Sequence, residues 1–93
     1  MPVAFYIPAY LRPFTRENSR VELRQPADTV GAALERLWGL YPGVRDRIVT
    51  EQGELRPHVN VFVGEENIRF LQGFATELPD DCELSILPAL SGG

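Results

Sequence analysis

Lysine is absent from the 93 residues: all nine cationic side chains are arginine. Two origins fit this bias. One is the base composition of the genome; the other is removal of amines that an activated chain end would acylate. Cys82 is the single cysteine, so the chain can form no internal disulfide, and a thiolate metal cluster is disfavoured. Such sparing use of cysteine suits a reducing, cytoplasmic setting. No apolar run approaches the roughly 20 residues that cross a bilayer as a helix. The opening Met1-Pro2-Val3-Ala4-Phe5-Tyr6-Ile7 has no basic leader and no small-residue cleavage site, so no secretory signal is read there. No repeat or low-complexity tract appears. Acids outnumber bases, 13 to nine, for a formal net charge of −4. That balance argues against nucleic acid as the main partner.

What remains is an ordinary globular composition, with 44% hydrophobic and 24% charged residues, in a chain long enough for one core. Val3, Phe5 and Ile7 alternate with Ala4, Tyr6 and Pro8, which predicts a first strand with the odd positions inward. Pro8 and Pro13 bracket its end, and residues 16–19 read as a polar turn. Residues 20–24 alternate again, with Val21 and Leu23 inward, so a hairpin is the simplest pairing. Pro26-Ala27-Asp28-Thr29 announces a helix capped by Asp28 or Thr29. Val30, Leu34, Leu37, Trp38 and Tyr41 form its apolar stripe, and Pro42-Gly43 ends it. A short helical turn is expected over 44–50, with Val44 and Ile48 inward. Val59, Val61 and Val63 mark a strand, residues 64–67 a turn, and residues 68–70 a short returning strand. Residues 72–81 connect, with Leu78 inward. The last strand covers residues 83–87, with Leu84 and Ile86 inward, and Pro88 stops it. One helix is available to cover one face of a mixed sheet of four to five strands. With the first and last strands parallel at the centre, this is an α+β, ubiquitin-like β-grasp arrangement over residues 1–88. Phe62 and Leu87 would lie on the uncovered face.

Residues 89–93 then form a short flexible tail, Ala89-Leu90-Ser91-Gly92-Gly93. A tail of this kind has a chemical use. A carboxylate must be activated before its carbonyl can accept a nucleophile, most simply as an acyl-adenylate. Gly92 and Gly93 lack a Cβ and can thread a narrow channel. From Pro88 the tail reaches roughly 20 Å, enough to enter a partner's site while the globular body stays outside. The tail would be the substrate and the catalytic groups the partner's. The chain itself shows no nucleophile–base arrangement and no phosphate loop, so no catalytic, metal or cofactor site is assigned to it.

Four stretches, in order along nearly the whole chain, resemble the MoaD/ThiS family of ubiquitin-like sulfur carriers. They are Ile7-Pro8-Ala9-Tyr10-Leu11-Arg12-Pro13, the helix opening Asp28-Thr29-Val30-Gly31, the strand Val59-Asn60-Val61-Phe62-Val63, and the terminal run from Asp81 through Pro88 to Gly92-Gly93. Arg69-Phe70, Gly73-Phe74-Ala75-Thr76 and Ile86-Leu87-Pro88-Ala89 resemble the branch that serves cysteine biosynthesis. Asp81 stands where the family often has Gly, and Leu90-Ser91 where Val-Ala is commoner. The resemblance implies that an E1-like enzyme of the MoeB/ThiF type adenylates Gly93, and that sulfur delivery then gives a thiocarboxylate. In the cysteine branch it implies two further partners. One is a cysteine synthase dependent on pyridoxal phosphate, and the other is a JAMM-type metalloprotease. In other branches sulfur goes to a molybdopterin or thiazole precursor or to a tRNA base. The carrier would bind neither cofactor nor metal.

Phe62, Leu87 and Leu90 are candidates for the docking patch of the activating enzyme, with Pro88, Ala89 and Ser91 beside them. Phe62 also suits simple sheet cover. His58 reads as a solvated residue at a strand start rather than a ligand or base. Cys82 reads as a small residue near a turn rather than a persulfide relay. Arg12, Arg24 and Arg69 read as solvated, or as partners for an acidic patch. Two other functions use the same features: a ubiquitin-like modifier joined to lysines of other proteins, and a β-grasp adaptor without tail chemistry.

Overall fold

The computed structural model describes residues 3–88; the tail expected over 89–93 lies outside them. Five strands form one mixed sheet in the order β2-β1-β5-β3-β4. They are β1 (Ala4–Tyr6), β2 (Arg20–Glu22), β3 (Val59–Val63), β4 (Glu66–Asn67) and β5 (Glu83–Pro88). β5 sits at the centre. It runs parallel to β1, with Phe5 opposite Leu84, and antiparallel to β3, with Val61 opposite Ile86. β2 pairs antiparallel with the other edge of β1. Hydrogen bonds from Leu23 N to Val3 O and from Ile7 N to Ser19 O extend that ladder at both ends, each at 2.8 Å.

Helix α1 (Val30–Leu40) covers one face and α2 (Arg45–Ile48) caps one end of the core. The Thr29 hydroxyl accepts the Ala32 amide at 3.1 Å, which satisfies one of the free donors of the first helical turn. Val30, Ala33, Leu34 and Leu37 face the sheet and are buried. Across from them lie Phe5, Val21, Val59, Val61, Leu84 and Ile86, all buried. Each large side chain so placed contributes about 1.5–3 kcal/mol relative to exposure. Trp38, Tyr41 and Leu78 pack against this core from its margin, and Val44 and Ile48 are inside it as the short helical turn predicts. Gly31 explains part of the helix-opening motif. A Cβ there would stand 3.2 Å from the Phe74 carbonyl oxygen, so Gly lets the connector segment Gly73–Ala75 lie this close against the helix without the small shift that a side chain would demand.

Two local expectations change. The β1–β2 connection is no tight hairpin: Ala9–Thr15 forms a 3-10 helix that buries Leu11 and Thr15. Pro13 lacks the amide that an α-helix would need at this point. Ile68–Phe70 is likewise a 3-10 turn, not a returning strand; the strand is Glu66–Asn67. The Asn67 side chain accepts the Arg69 amide at 2.9 Å, which closes the turn and drops Ile68 into the core.

The Gly that the resemblance places before the last strand, where this chain has Asp81, would suit the backbone there. Asp81 holds φ at 58°, in the left-handed region that Gly occupies freely and Asp more readily than most residues. Asp81→Gly is expected to leave the urea midpoint close to that of the parent protein. Asp81→Val should lower stability by about 1–2 kcal/mol.

Candidate functional site

The central strand determines which groups surround the departing chain. At its C-terminal end, Leu87 lies opposite Asn60 and Pro88 opposite Val59. Because β1 is parallel to β5, the residues that follow Tyr6 belong to the same end. Because β3 is antiparallel, so do Arg56, Pro57 and His58, which precede Val59. The candidate residues Ala89, Leu90, Ser91, Gly92 and Gly93 lie outside the described residues.

Arg12 and Arg69 brace this end from opposite sides; Arg12 is half-buried and Arg69 exposed as expected, but both also bond backbone carbonyls. Arg12 donates from Nε to the Ile7 carbonyl at 3.1 Å and from Nη2 to the Tyr6 hydroxyl at 3.3 Å, with its guanidinium 5.9 Å from the Tyr6 ring centroid. Arg69 donates from Nη2 to the carbonyls of Arg56 and Val59, both at 2.7 Å, and from Nε to Asn60 Oδ1 at 3.2 Å. A guanidinium offers several donors in a fixed planar fork. Arg69 uses it to tie the entry to β3 to the turn beyond β4. Arg24 is exposed like Arg69; what sets Arg69 apart is the three acceptors it reaches.

Phe62 and Leu87 alternate with the buried Val61 and Ile86, so both belong to the sheet face opposite α1. Each is half-buried, and Pro88 is exposed. The structure adds two residues that the sequence reasoning missed. Phe70 is 86% exposed and Leu71 39%. With Phe62 they line an open cleft of about 460 Å³, edged by Glu65, Glu66 and Asn67. An alternating strand cannot turn the adjacent Phe70 and Leu71 to one side. The 3-10 turn releases both from the core, and their adjacency was the available signal.

Cys82 is half-buried against the core. Burial pushes its thiol pKa up and the Asp81 charge adds to that, while a backbone hydrogen bond opposes it. Less thiolate at neutral pH means a weaker nucleophile. His58 is exposed. Among the described residues no three of His, Cys, Asp and Glu gather as a metal site, and no helix is long and apolar enough to cross a membrane.

The strand end therefore offers an apolar surface on one face and anchored guanidiniums at its flanks.

The ThiS family model matches residues 5–93. The sulfur carrier protein CysO of Mycobacterium tuberculosis is 37% identical over 95 residues, spanning 100% of both chains. Its crystal structure aligns with TM-score 0.85 at 36% identity, over 95% of this chain and 99% of that one. CysO in the crystal structure of the Amycolatopsis orientalis BexX/CysO complex gives TM-score 0.86 at 34% identity, over 98% and 99%. Small archaeal modifier protein 3 of Haloferax volcanii is 40% identical over 65 residues, which is 70% of each chain.

Arg69→Ala should lower stability by about 1 kcal/mol, since it removes one hydrogen bond from each of two carbonyls, of which that of Arg56 keeps the Val59 amide at 3.0 Å. Arg24→Ala should stay within about 0.5 kcal/mol of the parent. Parallel urea titrations of the two variants measure the contrast.

Proposed function

The chain belongs to the ThiS family, and on that premise we propose that it is a sulfur carrier whose Gly93 carboxylate, when terminal, is the reacting group. One observation carries the proposal most: similarity to CysO runs the full length of both chains, and the family match continues through Gly92 and Gly93. The relatives with this similarity are named as carriers rather than enzymes, which accords with a protein that lends its tail to other active sites.

An E1-like partner of the MoeB/ThiF type joins the Gly93 carboxylate to the α-phosphorus of ATP and releases pyrophosphate. A sulfide-equivalent nucleophile then forms a C–S bond. The acyl–phosphate C–O bond breaks, AMP leaves, and the thiocarboxylate remains. Sulfur held in this form stays nucleophilic without diffusing freely. In the cysteine branch the acceptor is an activated serine derivative on an enzyme dependent on pyridoxal phosphate, and a JAMM-type metalloprotease restores the Gly-Gly end. The carrier's own contribution is positional. Phe62, Leu87 and Pro88, with Ala89, Leu90 and Ser91, form the contact surface that holds the body outside while the tail enters. Phe70 and Leu71 extend that surface along the sheet edge. A cytoplasmic location accords with the single cysteine.

The similarity to small archaeal modifier protein 3 favours a second reading that shares the first step. If a lysine amine of another protein takes the acyl group in place of sulfur, an amide forms, AMP leaves, and the chain becomes a covalent modifier.

Incubation with the E1-like enzyme of the same genome, ATP and a sulfur source should exchange one oxygen for sulfur at Gly93. Intact mass followed by C-terminal fragment sequencing locates the change. Deleting Gly93 should abolish it with the melting curve unaltered; continued thiolation of the deletion variant would reject the carrier. Gly-Gly remnants on target lysines would mark the modifier. Phe70→Ser should leave stability within about 0.5 kcal/mol, its side chain being already in water, and should raise the KM for the carrier in the adenylation reaction.

A further inference from the structure

On the side of the strand end away from Phe62, a second cleft of about 490 Å³ is lined by Tyr10, Leu11, Phe14, Asp46, Arg47, Arg56 and His58. Three separate segments supply it: the 3-10 helix after β1, α2, and the approach to β3. The sheet registers bring two of these to the place where the chain leaves Pro88.

The cleft is basic although the protein is acidic. Arg47 lies 4.7 Å above the Phe14 ring centroid, so the ring holds the cation at the cleft wall. Arg56 is oriented by its Nε bond to the Asp46 carbonyl at 2.8 Å. The only acid in the lining, Asp46, is paired with Arg45 at 3.2 Å, which lessens its offset to Arg47 and Arg56. His58 and Tyr10, a residue 43% exposed, add further polar groups to the lining. Arg69 and Arg12 anchor the neighbouring backbone. Cations thus gather at this cleft, while at the other end of β5, beside the Glu65 turn, Asp80 and Asp81 stand as exposed acids and Glu83 is paired with Arg20 at 3.6 Å. Such a separation orients an approaching partner before contact.

We propose that this cleft receives an acidic segment of the enzyme that activates the tail, as a second point of attachment beside the apolar face. Phe62 and Phe70 then supply contact area, while Arg47, Arg56 and His58 set the approach and the rotational register. The inference rests on the carrier reading above.

Its test is ATP–pyrophosphate exchange catalysed by the E1-like enzyme of the same genome, with the carrier as the varied substrate. Arg47→Glu/His58→Glu should raise the KM for the carrier about tenfold or more in about 50 mM NaCl, with kcat within about twofold. The difference should shrink several-fold in about 300 mM NaCl, where the screening length is shorter. Arg47→Lys, which keeps the positive charge at that position, should stay near the parent value, and thermal melts verify that both variants fold. A KM indifferent to charge reversal, with the parent protein active, overturns the docking role and leaves the carrier intact. A parent protein that supports no exchange removes the carrier reading and this role together.

Discussion

Both edges of β5 are hydrogen-bonded, one to β1 and the other to β3. That double pairing is the constraint from which the rest of the site follows. A strand held on one edge can fray or slip; a strand between two partners cannot shift register without breaking both ladders and turning Leu84 and Ile86 out of the core. Pro88 is therefore set against Val59 with the full stiffness of the sheet behind it. The helix, the 3-10 turns and the anchored arginines are all arranged with respect to that point.

A division of labour between the two sheet faces accompanies it. The face toward α1 holds Phe5, Val61, Leu84 and Ile86 and secures the fold. The opposite face carries Phe62 and Leu87, free of that task. Arg12 and Arg69 belong to neither face: their hydrogen bonds hold the backbone at the corners where β1 ends and β3 begins. The exposed Phe70 is consistent with the same economy. Its side chain adds little to stability where it stands, so its place at the rim of the outer face suits recognition better than packing.

The strands and the helix were legible because their signals are local. The alternation of Val3, Phe5 and Ile7, and the stripe from Val30 to Leu37, follow periods fixed by backbone geometry. The central parallel pairing followed from having one helix to cover one face. What could not be read depends on contacts between distant residues. The bond from Arg69 to the Arg56 carbonyl spans 13 positions, and no local pattern distinguishes such an arginine from a solvated one. The turn at residues 68–70 was misread because the Asn67 cap outweighed the extended propensity of Ile68 and Phe70. The basic cleft is assembled from three segments whose individual charges look unremarkable in the sequence. The tail was the plainest feature of the sequence and falls beyond the described coordinates.

The placement of β5 also has a consequence for biosynthesis. Of the five strands, the one that completes the middle of the sheet comes last in chain order, so it is the last of them to leave the ribosome. Until it emerges, β1 and β3 have no common neighbour, and the apolar face of α1 has no finished surface to cover. The sheet therefore closes only after β5 is free, and a product terminated before β5 lacks the centre of its sheet. Any molecule whose sheet is complete has been translated through β5.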